Sequence, residues 1–222
     1  MTSDVMAAYA WKSNAHMLAD LFDVMGRPSG PWVDLTFGEK GAWWNAPNAW
    51  WNAPNIAPDD LVRCVGPDTA TTRDDVVRTD FRATPFASDT FGLTCFDPPY
   101  VLKGGAGKFD DMNRRYGVGA ELTERRGERS RKEALFDLVE DGLTEAARIT
   151  RLGGWVLAKA GRGIDGGKLV RTDDLMVRTG EDMGLNVLTT LLLLSRPRSQ
   201  AHRGPQKTPR ANFSTLIVFE VP

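Results

Sequence analysis

Hydrophobic positions along the chain follow two periods, and the way those periods alternate predicts the architecture. Met17, Leu18, Leu21, Phe22 and Met25 recur at three- and four-residue spacing. That is the stripe of a helix over 14–25, with Ser13 as its cap and Gly26 and Pro28 as its stop. Pro31 to Phe37 (PWVDLTF) is a short apolar run ended by the glycine loop Gly38-Glu39-Lys40-Gly41, and it reads as a buried strand. Further strand-like runs are 61–65, 76–80, 91–96, 154–160, 185–195 and 213–221, bounded by turn residues and rich in apolar and β-branched side chains. Between the fourth and fifth runs, Leu135, Leu138, Val139, Gly142, Leu143, Ala146 and Ile149 share one face of a helix over 132–150. A second helix, 169–183, is expected before the sixth run.

Strands alternating with helices imply a mostly parallel sheet covered on both faces. The last two runs have no helix between them, which implies an antiparallel hairpin at one edge. The expected fold is therefore α/β, a Rossmann-like doubly wound sheet of seven strands, mostly parallel, with an antiparallel C-terminal hairpin. Such sheets bind ligands at the carboxyl ends of their strands. Two features fall there: the glycine loop after Phe37, and Asp97-Pro98-Pro99-Tyr100 after the apolar run Phe91–Phe96. Proline cannot donate to a sheet ladder, so the prolines end a central strand where a binding site belongs.

Composition narrows the class. At 222 residues, 41% hydrophobic and 26% charged, the chain suits one domain spanning 1–222. Its net charge of −1 excludes a globally basic nucleic-acid coat, so any polyanion has to meet a local patch. Cys64 and Cys95 stand in apolar runs, there is no Cys-x-x-Cys, and histidines number two. No metal site and no disulfide scaffold are expected, and a reducing, cytoplasmic setting fits. The N-terminus lacks the pattern of a signal peptide. The longest apolar stretch, Leu185 to Leu194, is too short to span a bilayer, so no membrane partner is expected.

Asp97-Pro98-Pro99-Tyr100 resembles the catalytic motif of S-adenosylmethionine-dependent methyltransferases that modify exocyclic amines, chiefly adenine N6 and cytosine N4 in DNA. Asp34-Leu-Thr-Phe-Gly-Glu-Lys-Gly41 resembles the cofactor loop of that family, and Thr79 to Phe86 its acidic third-strand motif. The order of the motifs is that of enzymes whose cofactor half comes first, a shape common among small phage and bacterial methylases. The resemblance implies S-adenosylmethionine as cofactor, with Asp34, Thr36, Phe37, Gly38 and Gly41 around its methionine half. It implies that Asp80 accepts from the adenine amine and that Phe81 flanks the ring. A ribose acid belongs at the end of the second strand, where Asp68 is the best placed and Asp59 and Asp60 are weaker choices. Lys40 departs from the pattern, standing where a glycine is usual.

An aromatic exocyclic amine is a poor nucleophile because its lone pair is delocalised into the ring. The Asp97 carboxylate and the Pro98 carbonyl, with Pro99 stiffening the turn, can accept its two N–H bonds and favour a pyramidal nitrogen. Tyr100 would stack on a base flipped out of duplex DNA. The Asp form of the motif favours adenine over cytosine. The same motif also serves RNA guanine-N2 and protein glutamine methyltransferases, and Lys40 leaves open a degenerate, binding-only module.

Three segments interrupt the alternation. AWWNAPN occurs twice in tandem over 42–55 and holds four of the seven tryptophans. Gly41 and Asp68 are 27 residues apart, 68 minus 41, and removing one seven-residue copy leaves 20, near the roughly 20-residue spacing of nucleotide-binding units. The repeat reads as a local duplication, or as a tryptophan wall of the pocket. Residues 101–131 are rich in glycine and charge and read as a mobile insert beside the motif. Arg196, Arg198, Arg203, Lys207 and Arg210 lie in a hairpin loop, 196–212, whose stretch 196–210 contains no acid. These five are the expected phosphate contacts with DNA.

Overall fold

The computed structural model describes residues 11, 14–37, 60–67, 73–98, 131–165, 168–194 and 213–222. Helix α1 (Asn14–Met25) has the expected bounds. Its stop is physical: Gly26 takes φ +82° and its N–H donates to the Phe22 carbonyl at 3.0 Å, a turn that favours glycine. Strands β1 (Trp32–Asp34), β2 (Val62–Val65), β3 (Val77–Arg78) and β4 (Phe91–Phe96) follow. Helix α2 (Arg131–Ile149) leads into β5 (Thr150–Asp165), then β6 (Lys168–Arg171), α3 (Thr172–Asp182), β7 (Asn186–Leu194) and β8 (Phe213–Glu220).

The described strands form one eight-stranded sheet in the order β3-β2-β1-β4-β5-β8-β7, with β6 paired to β5 off this path. Pairings from β3 through β5 are parallel, and β8 runs antiparallel between β5 and β7. Two halves thus diverge from the β1–β4 junction, as in a doubly wound sheet.

Strand alternation sorts side chains to two cores. Val33, Phe96, Val156, Ala158, Ile217 and Phe219 pack against α2 and α3. Trp32, Leu93, Cys95, Trp155, Leu157, Leu216 and Val218 pack against Met17, Leu18, Leu21 and Phe22 of α1. All seven residues placed on the α2 face by their spacing are buried. Gly142 has a packing role: a Cβ there would lie 2.5 Å from Phe96 Cζ and 2.8 Å from Phe81 Cε2, so the helix can sit this close only without one.

Several boundaries differ from expectation, among them the third strand, expected over 76–80 and found at Val77–Arg78. The first strand is shorter because the Thr36 N–H donates to Asp34 Oδ1 at 3.0 Å, turning the chain locally at Leu35-Thr36. The fifth strand is longer, running past Ala160 to Asp165. Among the described residues the strand count is eight rather than seven because Lys168–Arg171, expected at the start of a helix, pairs with Arg162–Asp165. The helix begins only at Thr172, with Asp173 and Asp174 in its first turn.

Candidate active site

The parallel register brings the expected chemistry to one edge of the sheet. The N–H of Leu35 donates to the Cys95 carbonyl of β4 at 3.0 Å, and that of Phe37 to the Cys64 carbonyl of β2 at 3.1 Å. The chain leaving β1 therefore wedges between its neighbours. Asp34, Thr36 and Phe37 are all buried there, and Arg73 lies over the Phe37 ring at 5.2 Å.

Asp97 and Pro98, immediately past β4, are buried as well. The Asp97 N–H donates to Thr36 Oγ1 at 2.7 Å, joining the motif to the β1 turn. Because Cys95 pairs with Leu157, two residues on from each lies Asp97 beside Lys159 of β5. Lys159 Nζ is 3.5 Å from Asp97 Oδ2, with both side chains less than a tenth exposed. Burial pushes the Lys159 ammonium below the usual lysine range, and Asp97 pulls it part of the way back. Burial, reinforced by Asp34, pushes the Cys64 and Cys95 thiols up, so both stay neutral near pH 7.

Asp80 stands at the carboxyl end of β3, half-buried. Its carboxylate accepts from the Arg82 backbone N–H at 2.9 Å and from Arg82 Nε at 3.0 Å. Burial raises its pKa, but the Arg82 contacts outweigh that and hold it below the usual carboxylate range. Phe81 is buried, tilted against Phe96 at 5.5 Å, so it serves the core beneath the strand ends. Asp60 is corrected: it precedes β2 at Val62 and so lies at the amino end, away from the other groups.

Gly38, Lys40, Gly41, Asp59, Asp68, Pro99, Tyr100, the repeat over 42–55, and the five basic residues from Arg196 to Arg210 lie outside the described residues. So does the insert after Tyr100, except that Arg131 already begins α2. Lys159 is the site residue that sequence reasoning missed. Its signal was a lone charge in the otherwise apolar run Trp155-Val-Leu-Ala-Lys-Ala160. Among the described residues there is no cluster of three or more His, Cys, Asp or Glu able to hold a metal, and no helix is long and apolar enough to cross a membrane.

No family model matches the chain, and no curated protein matches it. Solved structures do. An S-adenosylmethionine-dependent methyltransferase of Leishmania major superposes with a TM-score of 0.50 at 8% identity, covering 93% of this chain and 71% of that one. A Thermus thermophilus protein, provisionally assigned as a DNA modification methylase, gives 0.44 at 15% identity, over 65% of this chain and 52% of that one. The PvuII cytosine-N4-specific DNA methyltransferase gives 0.42 at 11% identity, over 62% and 45%. The chain spans about half the length of the Thermus protein. The Leishmania likeness settles the fold. This chain has the Rossmann-like α/β fold of that methyltransferase.

Proposed function

We propose that the chain transfers a methyl group from S-adenosylmethionine to the exocyclic amine of a DNA base, adenine N6 in preference to cytosine N4. The observation that carries this reading is the joining of the β1 and β4 ends. Asp97 and Pro98 close β4 where the Asp97 N–H donates to Thr36 at 2.7 Å, one residue before Phe37 and the glycine loop. An acid–proline motif and a candidate cofactor loop therefore share one edge of the sheet.

The available groups suit the cofactor. Asp34 and Thr36 lead into Gly38 and Gly41, which let backbone approach a ligand closely. Asp80 offers carboxylate oxygens at the β3 end for an adenine amine, and Asp68 follows β2 for the ribose hydroxyls. Bound S-adenosylmethionine supplies a methyl group on a sulfonium, ready for nucleophilic attack. Asp97 and the Pro98 carbonyl accept the two N–H bonds of the amine and turn its lone pair out of conjugation. As nitrogen gains positive charge the same acceptors hold it more tightly, which is transition-state stabilisation. Burial of Asp97 strengthens this by keeping water away from the carboxylate. Tyr100 stacks on the flipped base, and the basic residues of 196–210 contact phosphates.

The test is a labelled-methyl assay across duplex DNA, tRNA, rRNA and protein extract, with nucleosides resolved by mass spectrometry. The expected product is N6-methyladenine in DNA. Label confined to cytosine would transfer the assignment to N4, and label in RNA or protein would replace DNA as the acceptor. Binding of DNA without any binding of cofactor would make the chain a recognition module.

A further inference from the structure

We propose that Lys159 is a positioning residue for the Asp97 site: its ammonium holds the Asp97 carboxylate in place to receive the substrate amine. This rests on the methyltransferase reading above, and its test below is separable from that reading.

The argument begins with what burial costs. Lys159 is 4% exposed, and lysine is almost never buried so completely without a charge to answer. Packing alone does not call for it. On its face of β5, Trp155 and Leu157 belong to the apolar core against α1, and its partner in register on β8 is Leu216. An apolar side chain of similar length would suit such neighbours better. The charge that answers it is Asp97, at 3.5 Å.

The ionisable groups near the pair among the described residues leave that assignment intact. Cys64 on β2 and Cys95 on β4 have thiols pushed up by burial and by Asp34, so they carry no charge at neutral pH. Asp34 on β1 is level with Cys95, two residues before Asp97, and its carboxylate bears on the Cys64 and Cys95 thiols. From α3, Asp173 is held by Arg162 Nε at 2.8 Å and by Thr215 Oγ1 at 3.1 Å. Among the described residues, Asp97 is thus the acid in ion-pair contact with the buried Lys159 ammonium.

A role through charge differs from two rivals. As a terminal proton acceptor, Lys159 would have to be neutral to work, and turnover would rise as it loses its proton. As a space-filler, its charge would be irrelevant. The positioning role requires the ammonium, so turnover falls as pH rises through the Lys159 midpoint. That midpoint lies below the ordinary lysine value of 10.5.

The first measurement needs no turnover. Coupling between two charges is mutual, so the stabilisation that Lys159 gives the Asp97 carboxylate equals what Asp97 gives the ammonium. The lysine ε-carbon resonance of the full chain is titrated by NMR in wild type and in Asp97→Asn. A fall in the Lys159 midpoint of about one pH unit or more is expected in the variant. An unmoved midpoint overturns the proposal, whatever the enzyme does. The second measurement compares Lys159→Met and Lys159→Arg with labelled cofactor and DNA. Lys159→Met should lower kcat on the order of thirtyfold with cofactor KM nearly unchanged, while Lys159→Arg, which keeps the charge, should restore most of it. A folded, cofactor-binding Lys159→Arg as inactive as Lys159→Met overturns positioning in favour of proton acceptance. So does a wild-type kcat that climbs through the lysine midpoint. If neither variant folds, the wild-type pH profile and the NMR titration still decide. If no acceptor is methylated at all, the methyltransferase reading fails while the NMR result stands by itself.

Discussion

At the scale of the residue, Asp97 carries the clearest expectation. If it holds the amine chiefly in the transition state, Asp97→Ala should nearly abolish turnover while leaving cofactor and DNA affinity close to wild type. Loss of a positioned acceptor costs about 3 kcal/mol or more, on the order of a hundredfold in rate. Single-turnover rates with calorimetric cofactor binding check this, and an equal loss of affinity would show a structural rather than catalytic defect. Asp97 was legible because its signal is local: an apolar run stopped by an acid and two prolines. Lys159 was not, because its meaning depends on the β4–β5 register, which sets side by side two residues 62 apart in the chain. Phe81 has a second contact that its sequence position did not suggest. Its place after Asp80 suggests a ring beside the cofactor, and its side chain also packs on Phe96, a contact invisible without the tertiary fold.

At the scale of the element, α2 shows sequence periodicity translated into packing with little loss. Its apolar face was read correctly to the residue, because the face is wide and uninterrupted by proline. Gly142 within it is the sensitive point. Alanine there gains about 1 kcal/mol of helix propensity but forces Phe96 or Phe81 to move, at about 1–3 kcal/mol. Overpacking should win, and Gly142→Ala should lower the melting temperature by about 2–8 °C. A rise would mean that the two rings can yield. The same helix holds the loop before β4 through Glu145, whose Oε1 accepts from the Thr84 N–H at 2.7 Å and whose Oε2 accepts from Arg148 Nε at 2.7 Å. Burial raises the Glu145 pKa, but these hydrogen bonds outweigh it and hold the group below the ordinary 4.5. A carboxylate depressed in the folded state adds stability above its unfolded pKa and loses it as pH falls through the folded value. Glu145→Gln should therefore cost about 1–2 kcal/mol at pH 7, with the difference from wild type closing below pH 4.5. Denaturant unfolding at neutral pH and again well below that value measures both ends, and a constant difference would refute the charge as its source. The β5–β6 hairpin was missed for a related reason: Leu169 sits at helical spacing from Met176, yet it is exposed and its neighbour Val170 turns inward, as strand alternation dictates.

At the scale of the whole molecule, alternation of elements gave the parallel sheet and the terminal hairpin, but not the strand order, which depends on crossovers that local patterns do not encode. That order has a consequence for the basic residues. Strand β8 is antiparallel to both β5 and β7, so β7 runs parallel to β5 and its last residue, Leu194, pairs with Phe213. The connection 195–212 therefore leaves the sheet from the same edge that carries Asp97 and Lys159, as do those after β1, β2 and β4. If DNA is the acceptor, the basic residues of that connection are the proposed source of a local attraction for phosphates that net charge does not give. Replacing Arg196, Arg198, Arg203, Lys207 and Arg210 by glutamine should weaken DNA binding and flatten its salt dependence by about one unit of slope per lost phosphate contact. Turnover at saturating DNA should change little, because none of these groups is assigned to the reacting amine. Fluorescence anisotropy at two salt concentrations, paired with kcat on the same variant, reads both quantities. An unchanged slope would turn the loop to solvent and leave the lysines and arginines after Tyr100 as the candidates to carry the DNA backbone.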